Sequence, residues 1–324
     1  MTVDTQPRIA SRRFIIAMTV CLSTCVVLQA GCRAIRRFGE SRQAITGRRL
    51  SGQGFQAIHD GQWETAETLF SDALKVSRTD DRAHWGMAEA FWNRGQTDDA
   101  IRHMEQAVRL SAGDPAFVRR IGRMYLDLGR VDEAAARAQE ALRAERGSAE
   151  GWALHGDCLR RIGQVDDALA AYHRALALQP DSPEVQLAAA ELYLDRGRYQ
   201  RALATLDRIT DQYGLEASPS RCDLLRGLVM RDLGRHEDAR VCFLRASHKS
   251  PEQAEPLLEL AALFHRRGQT SEATESLEMA RRLAPQHPRV ANLSKLLGVP
   301  VWSTQPDEEH GKVARLSEAK RTTK

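Results

Sequence analysis

Small and apolar residues recur along the chain at intervals of three and four, in segments that come in pairs. The segments around Gly163 show the pattern, with Trp152, His155, Gly156 and Leu159 before it and Ala168, Tyr172 and Ala175 after it. Residues with this spacing share one face of an α-helix. The pattern therefore predicts pairs of antiparallel amphipathic helices, and an all-α fold.

A glycine separates the two helices of each pair and recurs with a period of 34 residues, apart from one step of 37. The positions are Gly61, Gly95, Gly129, Gly163, Gly197, Gly234 and Gly268. An alanine follows each glycine five residues later. Glycine tolerates the positive φ that a helix end requires. The period therefore predicts seven helical hairpins with a glycine in each turn.

Acidic pairs such as Asp98 and Asp99 follow several of these glycines, at the predicted start of the second helix. Paired carboxylates can serve acid–base catalysis. Their recurrence at one structural position favours a different role, which is to cap free N–H groups and to complement the helix dipole.

The period and the residue pattern resemble the tetratricopeptide repeat (TPR) family. The segment 149–182 matches its motif best, with Trp152, Gly156, Leu159, Gly163, Ala168, Tyr172, Ala175 and Pro180. The resemblance covers about 240 of the 324 residues. It implies a right-handed α-solenoid of about seven TPR hairpins followed by a C-terminal capping helix.

The repeat register divides the chain into segments. The predicted repeats are 47–80, 81–114, 115–148, 149–182, 183–216, 220–253 and 254–287, with a three-residue insertion near Gly214 to Pro219. An apolar stripe predicts the capping helix at 288–298, and residues 299–324 are expected to form a flexible tail.

Residues 1–31 have the basic start and apolar run of a signal peptide or membrane anchor, and a basic linker is expected at 32–46. The small residues before Cys32 resemble the lipobox of bacterial lipoproteins, which implies lipidation of Cys32. Gln29 departs from that motif. The alternative is an uncleaved anchor from Phe14 to Ala30, which the positive-inside rule would combine with a cytoplasmic repeat domain.

The overall charge is nearly balanced, with 47 basic and 43 acidic residues and a net charge of +4, which argues against a nucleic-acid partner. Cys158, Cys222 and Cys242 form no CxxC motif and are expected to be small buried hydrophobes. The chain contains none of the common catalytic, metal-binding or nucleotide-binding motifs. The sequence therefore predicts no enzyme activity, no cofactor and no metal site.

In the TPR family the first helix of each repeat lines a concave groove. The resemblance therefore implies that the corresponding positions of this chain line such a groove. The candidate partner-binding residues are Trp85, Glu89, Trp92, Asn93, Arg119, Arg123, Asp127 and Arg160. Trp and Arg are common in binding hot spots, but both tryptophans could equally pack as core. Leu224 and Leu258 at groove positions predict either an apolar partner surface or a closed superhelix.

These features predict a membrane-tethered scaffold that binds a peptide segment or a partner protein. A lipoprotein-like signal places it in the bacterial cell envelope, with the repeats facing the periplasm. The alternatives are an inner-membrane scaffold with a cytoplasmic TPR domain and, from another class, a glycan- or peptidoglycan-binding module.

Overall fold

The computed structural model describes residues 42–299, and every regular element in that range is an α-helix. The all-α prediction is confirmed. The helices are α1 (42–59), α2 (Trp63–Val76), α3 (Asp81–Asn93), α4 (Thr97–Leu110), α5 (Pro115–Asp127), α6 (Val131–Ala144), α7 (Ala149–Ile162), α8 (Val165–Leu178), α9 (Pro183–Asp195), α10 (Tyr199–Tyr213), α11 (Ser220–Asp232), α12 (His236–Lys249), α13 (Glu255–Arg266), α14 (Thr270–Leu283) and α15 (Pro288–Leu297).

The chain divides within α8 into two compact units, with the boundary between Ala171 and Tyr172. We call the described residues on either side unit 1 (42–171) and unit 2 (172–299). Each predicted repeat interval holds two successive helices. Helix α1 includes residues 42–46, which the repeat register had assigned to the linker.

The turn glycines adopt the predicted conformation. All seven have a positive φ, between 66° and 86°. At Gly163, for example, the backbone N–H donates to the carbonyl of Arg160 and closes the end of α7. The recurring glycines therefore mark the C-terminal end of each first helix.

The acidic pairs do not occupy the N-cap positions of these second helices. The N-cap residue of α4 is Gln96 and that of α6 is Arg130, and neither makes a side-chain capping bond. Asp98 and Asp99 lie inside the first turn, where they can complement the helix dipole. Side-chain caps occur instead on first helices, as where Asp80 accepts from the backbone N–H of Ala83.

The core of unit 1 combines large side chains with helices that approach closely at small residues. Phe70 and Met104 are completely buried. A Cβ built on Gly54 would lie 2.5 Å from the Phe70 ring, and one on Gly86 would lie 2.2 Å from it. Only glycine leaves room for the ring at these two positions.

The core of unit 2 follows the same plan around Phe243, which is completely buried. A Cβ on Gly227 would lie 2.5 Å from its ring. Helix α15 adds Val290 and Leu293 to this core, 3% and 6% exposed. The segment predicted as a capping helix therefore buries an apolar face against the last hairpin.

Leu224 and Leu258, predicted as groove residues, are part of the unit 2 core and are 2% and 0% exposed. They offer no apolar surface to a partner. Cys158, Cys222 and Cys242 are buried free thiols, as predicted.

The predicted signal or anchor, Cys32 and the predicted tail beyond residue 299 lie outside the described residues. Between residues 42 and 299, no helix combines the length and hydrophobicity needed to cross a bilayer.

Candidate partner-binding surface

Three aromatic side chains from successive first helices of unit 1 contact each other in a row, which we call the aromatic ladder. The ring centroids of Phe55 (α1) and Trp85 (α3) are 4.9 Å apart, and those of Trp85 and Phe117 (α5) are 5.0 Å apart. Both distances lie in the range of about 4.5–7 Å that favours aromatic pairs. Phe117 is buried, whereas Phe55 and Trp85 are half-buried. The ladder therefore joins three repeats and keeps part of two rings accessible.

A carboxylate on α3 connects this ladder to α5. Glu89 accepts a hydrogen bond from Nε1 of Trp85 at 2.8 Å, and Arg120 donates to both of its oxygens at 2.6 Å. The hydrogen bond from Arg120 to Glu89 is the main reason that the pKa of Arg120 is raised. A bidentate arginine–carboxylate pair fixes direction as well as distance, so the indole and the guanidinium hold each other in place.

Trp92 lies on the same helix, and the guanidinium of Arg120 stands 5.8 Å from its ring centroid. Trp85 and Trp92 are both half-buried and pack against the core of unit 1. The sequence posed groove and core as alternatives for each tryptophan, but a half-buried side chain fits neither alternative fully. Each indole packs on one side and leaves some surface open on the other.

The two arginines proposed from the sequence as ligand-binding residues have acidic partners. Arg119 on α5 pairs with Glu145 at 2.6 Å, and Arg123 pairs with Asp157 on α7 at 2.5 Å. Ion pairs of this kind neutralise the positive charge that an acidic ligand would need. The remaining candidates stand at the surface, with Asn93 and Asp127 exposed and Arg160 half-buried on α7.

Sequence reasoning did not single out Phe55, Phe117 or Arg120. Phe55 occupies the ninth position of the first repeat, a position that faces the groove in the family, so the register could have found it. Phe117 and Arg120 lie at other positions, and only their contacts with Trp85 and Glu89 reveal their role.

The part of the chain that the structure describes contains no group of three or more His, Cys, Asp or Glu residues placed to hold a metal ion. Burial raises the pKa of the Cys158 thiol to about 11, so this cysteine is a poor nucleophile at neutral pH.

Successive helical hairpins with a partly open aromatic surface are typical of helical-repeat interaction scaffolds. A family model described as tetratricopeptide repeat matches residues 91–158, 161–218 and 230–297, and a second model with the same description matches residues 57–115. The chain belongs to the tetratricopeptide repeat family, and the prediction of TPR repeats is confirmed.

One solved structure in particular supports the fold. A tetratricopeptide repeat protein from Parabacteroides merdae is 13% identical, with a TM-score of 0.63, over 78% of this chain and 99% of that chain. PilF from Pseudomonas aeruginosa is 15% identical, with a TM-score of 0.49, over 78% of this chain and 98% of that chain. No curated protein matches.

Proposed function

We propose that this chain is a scaffold that holds a segment of a partner protein against the aromatic ladder of unit 1. The observation that carries the proposal is the ladder itself, with the half-buried rings of Phe55 and Trp85 held between neighbouring repeats. Aromatic surface that is already ordered loses little entropy when a partner binds, which makes it an efficient anchor.

The charges around the ladder indicate the chemistry of the partner. Arg120 is paired with Glu89, and Arg119 and Arg123 are paired with Glu145 and Asp157. A strongly acidic partner would have to displace these carboxylates. The surface therefore fits a segment with apolar or aromatic anchors and few charges, and its binding is expected to depend only weakly on salt.

We further propose that the scaffold is tethered to a bacterial envelope membrane through Cys32. The support comes from the sequence alone, namely the apolar run that follows a basic start and the small residues that precede this cysteine. An uncleaved anchor over the same run is the competing arrangement.

The binding proposal is tested by crosslinking capture with the full chain and two matched variants. Arg82→Glu/Asn93→Glu changes two exposed residues on the ladder helix α3. Arg102→Glu/Gln139→Glu makes the same change in charge at exposed positions on α4 and α6. We expect the first variant to lose specific partners that the second retains, with equal melting temperatures. Equal partner lists for all three proteins would exclude this surface.

The tether is tested by lipid labelling and membrane fractionation of the wild type and of Cys32→Ala. Lipidation predicts that the label and the membrane association are both lost in the variant. A variant that stays in the membrane fraction, next to an unlabelled wild type, would establish the uncleaved anchor instead.

A further inference from the structure

The repeats allow one site in unit 2 to be compared with its counterpart two 34-residue periods earlier. In unit 1, Tyr125 on α5 is accompanied by three glutamates, which are Glu105, Glu133 and Glu140. In unit 2, the equivalent tyrosine is Tyr193 on α9, and the three glutamate positions hold His173, Arg201 and Arg208. The tyrosine is kept, while all three acidic positions have become basic.

In unit 1 the acidic groups have clear roles. The hydroxyl of Tyr125 donates to Glu105 at 2.8 Å, and the guanidinium of Arg130 stands 4.5 Å from the Tyr125 ring centroid. Glu133 and Glu140 pair with Arg130 and Arg137 at 2.7 and 2.8 Å. A carboxylate thus sits at the tyrosine hydroxyl, with arginines around it.

In unit 2 the tyrosine remains, and an imidazole stands beside its hydroxyl where unit 1 has the Glu105 carboxylate. The hydroxyl of Tyr193, whose side chain is buried, lies 2.7 Å from Nε2 of His173. Arg201 stands 5.9 Å from the Tyr193 ring centroid. His173 and Arg201 are both exposed, on α8 and α10. Donors from three helices therefore surround Tyr193, and an exposed imidazole stands where unit 1 places a carboxylate.

The charges near His173 support this picture. Its pKa is lowered first by burial and then by the positive charges of Arg208 and Arg201. Two carboxylates on α9 and α10 are engaged elsewhere, since Glu191 pairs with Arg221 at 2.8 Å and Asp207 pairs with Arg226 at 2.6 Å.

The other charged groups on these helices and in the turn between α9 and α10 are Asp166, Asp167 and Arg174 on α8, Glu184 and Asp195 on α9, Arg196 and Arg198 in the turn, and Asp211 on α10.

We propose that His173, Tyr193, Arg201 and Arg208 form a binding site for an oxyanion, either a carboxylate or a phosphate group, which binds beside the exposed imidazole that stands in place of the Glu105 carboxylate of unit 1. Arginine, histidine and a tyrosine hydroxyl are the donors that bind such groups through charge-assisted hydrogen bonds. The site is independent of the aromatic ladder, so it adds a second contact with a different chemistry.

Binding at this site should take up a proton. In the neutral imidazole only one ring nitrogen donates, whereas both donate in the charged form. A bound anion favours the charged form and raises the pKa of His173, so binding should strengthen as the pH falls. A rise of one pKa unit corresponds to about tenfold tighter binding of the anion below the titration than above it.

The test follows the ring signals of His173 by NMR in the full chain, with sodium acetate, sodium phosphate or sodium chloride at equal ionic strength. We expect a saturable shift and an upward pKa change with the oxyanion, with binding stronger at pH 6 than at pH 8 by up to about tenfold, and neither effect with chloride. Responses to acetate and phosphate together indicate a carboxylate ligand, and a response to phosphate alone indicates a phosphoryl ligand.

Variants separate this site from general effects of salt on stability. His173→Glu restores the arrangement of unit 1 and should abolish the rise in melting temperature that the oxyanion causes, while the protein stays folded. His236→Glu makes the same change at an exposed position of α12 and should keep that rise. The proposal is overturned if acetate and phosphate act like chloride on His173, or if both variants respond to the oxyanion as the wild type does.

Discussion

Each unit contains a carboxylate bound by basic side chains, and the two carboxylates differ in their access to water. In unit 1, Glu89 is 19% exposed and is held by Arg120 beside the aromatic ladder. In unit 2, Asp223 on α11 has no exposed surface and pairs with Arg245 at 3.0 Å and Lys249 at 2.6 Å. Lys249 also donates to the Ser218 carbonyl at 3.1 Å, in the loop that contains the three-residue insertion.

The difference shows that the same kind of ion pair has a different role when it is fully buried than when it is partly exposed to water. A buried charge must keep its partners, because losing one leaves an uncompensated ion in a medium of low polarity. A partly exposed pair loses less when it is broken, because water can solvate the freed groups. Asp223 is therefore a structural element that fixes the insertion loop, and Glu89 is part of the surface that we propose binds a partner.

The largest expected effect comes from removing the buried carboxylate. Asp223→Ala leaves Lys249 and Arg245 without their partner and should lower the free energy of unfolding by about 3–5 kcal/mol. Urea denaturation followed by circular dichroism measures this loss. Asp72→Ala, which breaks a surface pair with Lys75, is the control and should cost less than about 1 kcal/mol.

A smaller loss of stability should follow from replacing the glycine that packs against a buried phenylalanine ring in each unit. Gly54→Ala and Gly227→Ala each place a methyl group 2.5 Å from a buried phenylalanine ring. Overpacking of this kind costs about 1–3 kcal/mol, and we expect similar losses in the two units. A Cβ on Gly52 meets nothing within 4 Å, so Gly52→Ala should be neutral or stabilising. Equal melting temperatures for the three variants would contradict the packing argument.

Removing the half-exposed carboxylate should cost less than removing the buried one. Glu89→Ala breaks the hydrogen bonds to Trp85 and Arg120 and is expected to destabilise unit 1 by about 1–2 kcal/mol, because water can solvate the freed groups. The measurement is denaturant unfolding monitored by tryptophan fluorescence. A loss as large as that of Asp223→Ala would remove the contrast drawn between the two networks.

The smallest expected effect is a pH dependence within unit 1. Nδ1 of His84 lies 3.1 Å from Nδ1 of His103, and burial lowers the pKa of both from the ordinary value of 6.5. Among the nearby charges, Asp80 and Asp99 raise these pKa values, while Arg109 and Arg102 lower them. The neutral pair stabilises α3 and α4 above pH 6.5, and this contribution should be lost as the pH falls below it.

Hydrogen exchange of α3 and α4 at pH 7.5 and pH 5.5, corrected for the intrinsic rates, measures this change. His103→Gln should reduce the difference in protection between the two pH values. An unchanged difference in that variant would show that another group is responsible.

The sequence predicted the fold well because the fold follows from short-range rules. A glycine with positive φ ends each first helix, and alanines such as Ala66 and Ala100 are completely buried where helices meet. Both signals recur at fixed spacing, so each repeat supports the interpretation of the others.

The site was predicted less well, because its properties depend on contacts between repeats. The register placed Trp85 at a groove position of its helix, but its burial depends on Phe55 and Phe117 in the neighbouring repeats. Likewise, nothing local to Arg123 reveals that Asp157, one repeat later, will neutralise it. The predicted roles of Asn93, Asp127 and Arg160 in partner binding stay predictions.

Helix α15 also bears on how such a chain can lengthen during evolution. It covers the apolar face of the last hairpin with Val290 and Leu293, while Asn292 and Lys295 face water. A duplicated hairpin inserted before residue 288 would be followed by α15, which would cover its apolar face. A hairpin appended after Gly298 would need a capping helix of its own. Lineages of this protein should therefore differ in the number of internal hairpins and share their last helix.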